Sequence, residues 1–323
     1  MPTILLTNHY SNNPLFIMEK EIPPGFDLIL LDKSCKEELI EKASKADYLL
    51  VSGRIPIDEQ VINAAANLKM IQRTGVGIDM LNIEVIKEKG IPVYVNQGVN
   101  SRSVAEHTIM LILSVLRHLP LADSSIRMGN WFKQELGVEC NELYNKTVGL
   151  VGLGNIGIEV AKMLKVFGVK VLYYKPSRLI AAKEKELNID YRHLTELLKE
   201  VDILSLHCPL NSETEGMIGI KEITAMKPGS IIINTSRGRL IVEEELINAL
   251  RTGHIRGAGL DVFSEEPLSK NNPLLGLENV VLTPHIGGVT LEAFRRMMRE
   301  ALINIKFFEE GKMEMIESKR LQI

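Results

Sequence analysis

One stretch constrains this chain more than any other. Thr147-Val148-Gly149-Leu150-Val151 is a short apolar run, Gly152-Leu153-Gly154-Asn155-Ile156-Gly157 follows it, and Ile158 to Phe167 returns to helical spacing. Strand, glycine turn and helix in that order define a βα unit in which each glycine has a separate task. Gly152 permits the tight turn, Gly154 lets the backbone approach a pyrophosphate, and Gly157 allows close packing of helix on strand. The helix N-terminus then attracts the anion. Gly152, Gly154, Asn155, Ile156 and Gly157 are therefore the candidate dinucleotide contacts.

The rest of the chain repeats the βα alternation. Ile4-Leu5-Leu6, Leu28 to Leu31, Tyr48 to Val51, Met70-Ile71 and Val93 to Val95 read as strands, with helical patterns at Lys36 to Lys45, Asp58 to Ala66 and Leu81 to Lys89. A second series starts at Thr147 and continues through Val169 to Tyr173, Ile203 to Leu206, Ser230 to Ile233, Gly257 to Leu260 and Val280 to Leu282. Such alternation predicts parallel sheets. The 323 residues suggest about two domains. Long helices are expected at Ser101 to Leu119 and Thr290 to Glu310. The second comes too late for the second alternation and is read as returning to the first domain. The expected division is 1–99 with 291–323, and 100–290 as the dinucleotide-binding domain.

Composition removes several classes. A formal net charge of −3 gives no field for nucleic acid or a membrane surface. The start has no basic region and too short an apolar run for a signal peptide. The apolar stretch Thr108 to Leu116 is far below the roughly 20 residues that span a bilayer. Cys35, Cys140 and Cys208 lie far apart without a CxxC pair, which points to a reducing cytoplasm. The seven histidines show no zinc spacing, so no metal is expected.

Cofactor choice turns on the end of the second strand of the dinucleotide domain, where an acidic residue would hold a ribose 2′-hydroxyl. That place reads Tyr174-Lys175-Pro176-Ser177-Arg178, and no acid occurs from Val169 to Lys183. Lys175, Ser177 and Arg178 suit a 2′-phosphate, so NADP(H) is favoured over NAD(H). Two solvated surface cations, with the ribose bound another way, fit the same residues.

Three later strands are each followed by functional polar residues: Asn234 to Gly238, Asp261 to Pro267 and Thr283 to Gly288. In an open parallel sheet, ligands bind beyond the carboxyl ends of the strands. Arg237, Glu266 and His285 then share one edge with the glycine turn. Reducing a ketone by hydride requires a proton for the oxygen, and histidine supplies it near neutral pH. A carboxylate beside it favours the imidazolium. Arginine clamps a substrate carboxylate with two hydrogen bonds and polarises the carbonyl. Singly, Arg237 also fits a loop cation, His285 a loop histidine after Pro284, and Glu266 a solvent-facing acid.

The combination resembles the D-isomer-specific 2-hydroxyacid dehydrogenase family. The matching segments are Val148 to Gly157, Asp202 to Leu210, Asn234 to Gly238, Gly259 to Pro267 and Thr283 to Gly288, with Gly75 to Asp79 and Ser103 to Glu106 earlier. The resemblance implies two doubly wound α/β domains, a Rossmann cofactor domain and a flavodoxin-like substrate domain, with the active site in the cleft between them. It carries over Arg237, Glu266 and His285 as the catalytic trio. Asp261 and the backbone around Thr235 and Ser236 would lie by the nicotinamide, and Cys208-Pro209 would form part of the cofactor wall. Ser52-Gly53-Arg54 and Val76-Gly77 match substrate-carboxylate loops, where backbone N–H groups hold an anion. Arg54 also fits a surface loop arginine.

The resemblance further implies a homodimer through the cofactor domains, with the Ser101 to Leu119 helix as a main contact. Its apolar pattern covers too much of the helix for a one-sided surface helix. Burial inside one subunit is the other reading. The expected activity is reduction of a small 2-ketoacid such as glyoxylate or hydroxypyruvate, with short-chain 3-phosphoglycerate oxidation as runner-up. Glu266 departs from the glutamine of formate dehydrogenases, and Val76 from the lysine of phosphite dehydrogenases. A corepressor-like scaffold that senses the dinucleotide retains the same trio; the lack of basic or disordered extensions argues against it.

Overall fold

The computed structural model describes residues 1–52 and 55–322. The chain divides into two compact units, Met1–Asn100 with Thr290–Ile323, and Ser101–Val289.

The first unit is built on five parallel strands: β1 (Thr3–Leu6), β2 (Asp27–Ile29), β3 (Tyr48–Val51), β4 (Met70–Arg73) and β5 (Val93–Tyr94), in the order β2-β1-β3-β4-β5. Helices α1 (Asn12–Glu19), α2 (Lys36–Ala43), α3 (Glu59–Ala64) and α4 (Ile83–Glu88) lie between them. Side chains alternate across a strand, so each strand serves two cores. Leu5, Leu49, Val51 and Ile71 pack with Leu39 and Val61. Ile4, Tyr48, Leu50 and Met70 pack instead with Met298, Leu302 and Ile305 of the Leu291–Glu309 helix. That helix is further pinned by buried polar groups. Asn304 Nδ2 donates to Gln72 Oε1 and to Asn96 Oδ1, both at 3.1 Å. A buried amide left without these partners is costly, so the bonds fix where the returning helix sits.

The second unit opens with α5 (Ser101–Leu116), α6 (Leu119–Arg127) and α7 (Lys133–Glu139). There follow β6 (Thr147–Val151), α8 (Asn155–Val166), β7 (Lys170–Tyr174), α9 (Ala181–Leu187), β8 (Ile189–Tyr191), α10 (Leu194–Glu200), β9 (Ile203–Leu206), α11 (Ile220–Ala225), β10 (Ser230–Asn234), α12 (Glu243–Thr252), β11 (Ile255–Leu260) and β12 (Val280–Leu282). The seven strands are all parallel, in the order β12-β11-β10-β9-β6-β7-β8. Strand order reverses between β6 and β9, which marks the ligand crevice of a doubly wound sheet. Ile231 and Ile233 of β10 face α5 and α8, while Ile232 faces α10 to α12.

One expected element differs. The helix anticipated from Ser101 to Leu119 ends at Leu116, and the chain bends by 65° into α6. His118 takes a left-handed conformation at φ 48°, and Pro120 occupies the first turn of α6. Proline has no N–H to give and its ring collides with the carbonyl four residues back, so one straight helix cannot pass through. Much of the apolar breadth of α5 is used inside its own unit: Leu111 and Ile112 are fully buried, and Ile109, Val115 and Leu116 nearly so. No single helix among the described residues is long and apolar enough to cross a membrane.

Candidate active site

The glycine turn lies at the carboxyl end of β6, where β6 and β9 part. Gly152 has φ +93°, and a Cβ there would stand 2.5 Å from the Cys208 nitrogen and 2.6 Å from the His207 carbonyl carbon. Its N–H donates to the Tyr174 carbonyl at 2.8 Å, and the His207 N–H donates to the Val151 carbonyl at 2.7 Å. The turn is thus stitched to the ends of β7 and β9. A Cβ on Gly157 would meet the Gly152 carbonyl oxygen at 2.5 Å, so helix and strand pack backbone to backbone.

Gly154, by contrast, would aim a Cβ into open space. It is the N-cap of the twelve-residue helix α8, and no side chain caps that helix. Uncapped first-turn N–H groups beside open space fit an anionic group such as a pyrophosphate. Beyond β9, Cys208 is buried, its thiol near Met217 Sδ at 3.6 Å and its pKa pushed up to about 11 by burial. Pro209 is exposed. Burial likewise lowers His207 to about 4, so the ring is neutral, with Nε2 at 2.9 Å from Ser205 Oγ.

At the end of β7 the cations are not equivalent. Arg178 gives a two-pronged salt bridge to Glu184, Nε to Oε1 and Nη2 to Oε2, both at 2.8 Å. The Tyr173 hydroxyl donates to the same carboxylate at 2.6 Å. Ser177 is exposed and Lys175 half-buried. Glu184 therefore already neutralises Arg178, an arrangement that the spacing of acids after β7 did not bring out.

The three polar segments after β10, β11 and β12 meet at the same edge. Asn234 shapes the first, its Nδ2 donating to the Arg237 carbonyl at 2.8 Å and its Oδ1 accepting from the Ser236 N–H at 3.0 Å. Ser236 Oγ donates to the Cys208 carbonyl at 2.5 Å, and Thr235 Oγ1 lies 3.1 Å from Thr108 Oγ1. Arg237 is half-buried. In the second segment, Glu266 Oε1 accepts from the Phe263 N–H at 3.1 Å. Its Oε2 lies 2.8 Å from His285 Nδ1. A carboxylate only accepts, so Nδ1 carries the proton of this bond. Nε2 of His285 is then the ring atom left to exchange a proton. The imidazole is 38% exposed and the carboxylate 18%, so the pair is anchored at one end and open at the other.

His285 has φ 56°, and a carboxylate beneath it holds that turn. Asp261 accepts from the N–H of Ile286 at 2.8 Å and of Gly287 at 2.7 Å, and from Thr283 Oγ1 at 2.6 Å. Burial works against its charge, but hydrogen bonds from His107, Thr283, Ile286 and Gly287 outweigh it and hold its pKa below the ordinary value. Resemblance sets Asp261 beside the nicotinamide; in the structure both its oxygens take donors from its own chain.

In the first unit, Ser52 follows β3 at the point where β1 and β3 diverge, and Val76 and Gly77 follow β4. Ser52 Oγ accepts from the Tyr10 hydroxyl at 2.6 Å. Arg73 donates from Nε to the Gly77 carbonyl at 2.7 Å and from Nη1 to the Val51 carbonyl at 3.1 Å. Val76 is 54% exposed. Gly53 and Arg54 lie outside the described residues.

Comparison with known proteins settles the family. The profile described as D-isomer specific 2-hydroxyacid dehydrogenase, NAD binding domain, matches residues 109–287. A hydroxypyruvate reductase of Thermotoga maritima is 42% identical over 264 residues, 81% of this chain and 84% of that protein. The chain belongs to the D-isomer specific 2-hydroxyacid dehydrogenase family. A glyoxylate reductase of Aeropyrum pernix is 40% identical over 318 residues, 95% of this chain and 89% of that protein. Among solved structures, an acyclic imino acid reductase in complex with NADPH and D-Arg superposes with a TM-score of 0.82 at 31% identity, covering 96% of this chain and 98% of that one. The protein is accordingly an oxidoreductase with a nicotinamide cofactor.

The Glu184 site predicts a pH signature. Hydrogen bonds from Arg178, then Tyr173, lower its pKa from an ordinary 4.5 to about 2. A carboxyl depressed in the folded state stabilises above its unfolded pKa, and that stability is lost as pH falls toward the folded value. The difference in thermal midpoint between wild type and Glu184→Gln should be constant above pH 5 or so and should shrink between about pH 4 and pH 2. A difference that does not change across that window would contradict the assignment.

Proposed function

We propose that the protein reduces a small 2-ketoacid, glyoxylate or hydroxypyruvate, to the D-2-hydroxyacid, with His285 as proton donor. The observation that carries this reading is the 2.8 Å pair of His285 Nδ1 and Glu266 Oε2, set at the same sheet edge as the uncapped α8 N-terminus. The glycine turn would hold the pyrophosphate, and the bound nicotinamide supplies the hydride. His285 Nε2 gives a proton to the carbonyl oxygen. Glu266 orients the ring through the Nδ1 hydrogen bond. Arg237 receives the substrate carboxylate and draws charge from the carbonyl. Thr235, Ser236, Cys208, Pro209 and Asp261 are proposed to wall or brace the cofactor side. Ser52, Gly53, Arg54, Val76 and Gly77 are the proposed substrate contacts of the first unit.

A panel of glyoxylate, hydroxypyruvate and 3-phosphoglycerate, run with both nicotinamide cofactors, tests the reading. Glyoxylate or hydroxypyruvate should turn over best. His285→Ala should lower kcat by about 10²- to 10⁴-fold, with cofactor affinity kept. Arg237→Ala should harm KM and kcat together. A His285→Ala enzyme with wild-type kcat, chemistry being rate-limiting, would mean that another group gives the proton; a wild type that turns over nothing in the panel would leave a dinucleotide-sensing scaffold.

NADP(H) is the preferred cofactor in this reading. Its support is the absence of an acid between Val169 and Lys183, with Lys175 at the end of β7. Because Glu184 occupies Arg178, Lys175 and Ser177 carry most of the preference. Lys175→Asp should swing selectivity toward NADH, measured as the ratio of kcat/KM values. A wild type already preferring NADH by about tenfold would overturn it.

A homodimer through the second unit completes the proposal, with a reducing cytoplasm as its setting on three unpaired cysteines. Since the core of α5 is spent internally, the support moves to α6, α7 and the turn between them. Leu119 and Ile126 are each 54% exposed, Met128 69%, Trp131 75% and Val138 84%. A groove of about 1010 Å³ beside them is lined by Ile109, Met110, Leu113 and Leu136. Apolar side chains exposed together mark an association surface. Light scattering at low micromolar concentration should give twice 36.2 kDa; a monomer mass would refute the dimer.

A further inference from the structure

His107 lies on α5, outside the three polar segments and the glycine turn, and its side chain is only 10% exposed. Its Nε2 is 2.9 Å from Thr283 Oγ1 and 3.4 Å from Asp261 Oδ1. The proton bookkeeping in this cluster has one solution. Asp261 is ionised and only accepts, so the Thr283 hydroxyl spends its proton on Asp261 Oδ1 at 2.6 Å. Thr283 Oγ1 must then accept from His107, which fixes the proton of His107 on Nε2. The chain of donation runs from His107 through Thr283 to Asp261. Asp261 in turn accepts the two N–H groups that follow His285. His107 also closes over the turn from the other side, its Cδ2 3.5 Å from where a Gly287 Cβ would stand.

We propose that His107 is a positioning residue for the His285 turn, locking Thr283 and Asp261 so that the left-handed backbone at His285 keeps the imidazole in line with Glu266. This rests on the reading of His285 as the proton donor. The hydrogen bonds of His107 run to Thr283 and Asp261, so its effect is on where the ring is held and not on proton transfer itself. Thr108, the next residue, braces the Thr235 segment in the same way. One turn of α5 thereby reaches all three polar segments.

The test compares four variants of the intact enzyme: His107→Leu, His107→Asn, His107→Gln and Thr283→Val, plus the His107→Leu/Thr283→Val double. Glutamine places an amide nitrogen where Nε2 stands, whereas asparagine stops short of Thr283. His107→Leu and His107→Asn should lower kcat for glyoxylate or hydroxypyruvate by about tenfold to a hundredfold, the scale of a small misplacement of a reacting group. The NADPH dissociation constant should stay within about threefold, because the glycine turn is untouched. His107→Gln should regain most of the lost kcat. The double variant should be about as slow as the slower single, since both act through one chain. If His107→Leu does not fold, the Asn–Gln contrast decides alone. Wild-type kcat in His107→Asn, equal kcat in the Asn and Gln variants, or fully multiplicative losses in the double would each overturn the proposal. A wild type without turnover, or a fully active His285→Ala enzyme, would instead overturn the underlying functional reading.

Discussion

Where β6 and β9 part, no side chain fits at residue 152. The Gly152 backbone is pressed against the peptide joining His207 to Cys208 and is hydrogen-bonded to the end of β7. This contact fixes the direction in which α8 leaves the sheet, and with it the uncapped N-terminus that suits an anion. The same peptide supplies the Cys208 carbonyl to which Ser236 Oγ donates, so the Arg237 segment is hung from the glycine turn. Gly238 extends the chain of contacts: a Cβ there would lie 1.9 Å from the Phe263 carbonyl carbon, which packs the Arg237 segment onto the one carrying Glu266. Any side chain at Gly152 or Gly238 would separate these segments, and the arrangement would be lost before Arg237, Glu266 or His285 was altered.

The last link, from Glu266 to His285, depends on a buried charge. A non-glycine residue in the left-handed region costs of order 1–3 kcal/mol when the surroundings must enforce it, although histidine tolerates that region better than most. The enforcement comes from Asp261, whose carboxylate is almost wholly shielded from solvent. A bare carboxylate in that place would be strongly disfavoured. Donors from Thr283, Ile286 and Gly287 offset the burial, and three of its partners belong to the turn being held. Removing the charge would therefore act twice, releasing the turn and leaving two backbone N–H groups unpaired.

The parts of the site carried by local sequence grammar were legible without coordinates. A strand, a glycine turn and a helix follow one another within 147–167, and each catalytic candidate follows a strand, so the alternation alone put them at one edge. What was not legible depended on contacts between distant segments. His107 meets Thr283 across 176 positions, and nothing near His107 announces this. Arg178 reads as available because Glu184 lies on α9, beyond the strand end where an acid is expected. The break in the Ser101–Leu119 helix was signalled by Pro120, but the apolar run through Leu119 masked it. The same run suggested an exposed face on α5, whereas β11 offers Gly257 and Gly259, whose missing side chains let Val115 and Leu111 sink onto the sheet.

The first unit shows the same kind of support at the ends of its strands. Its candidate loops are held from behind: Tyr10 and Thr7 fasten Ser52, and Arg73 ties the Gly77 carbonyl to that of Val51. These bonds are buried or partly buried and fix the backbone at Ser52 and at Gly77. Val76, more than half exposed, bears none of that load. A change of side chain there would leave the anchors beneath it undisturbed. Changes at Tyr10 or Arg73 would instead release the backbone at Ser52 or Gly77. At Val76–Gly77 support and exposed tip are thus separate: the backbone course is held by Arg73, while the side chain at position 76 takes no part in holding it.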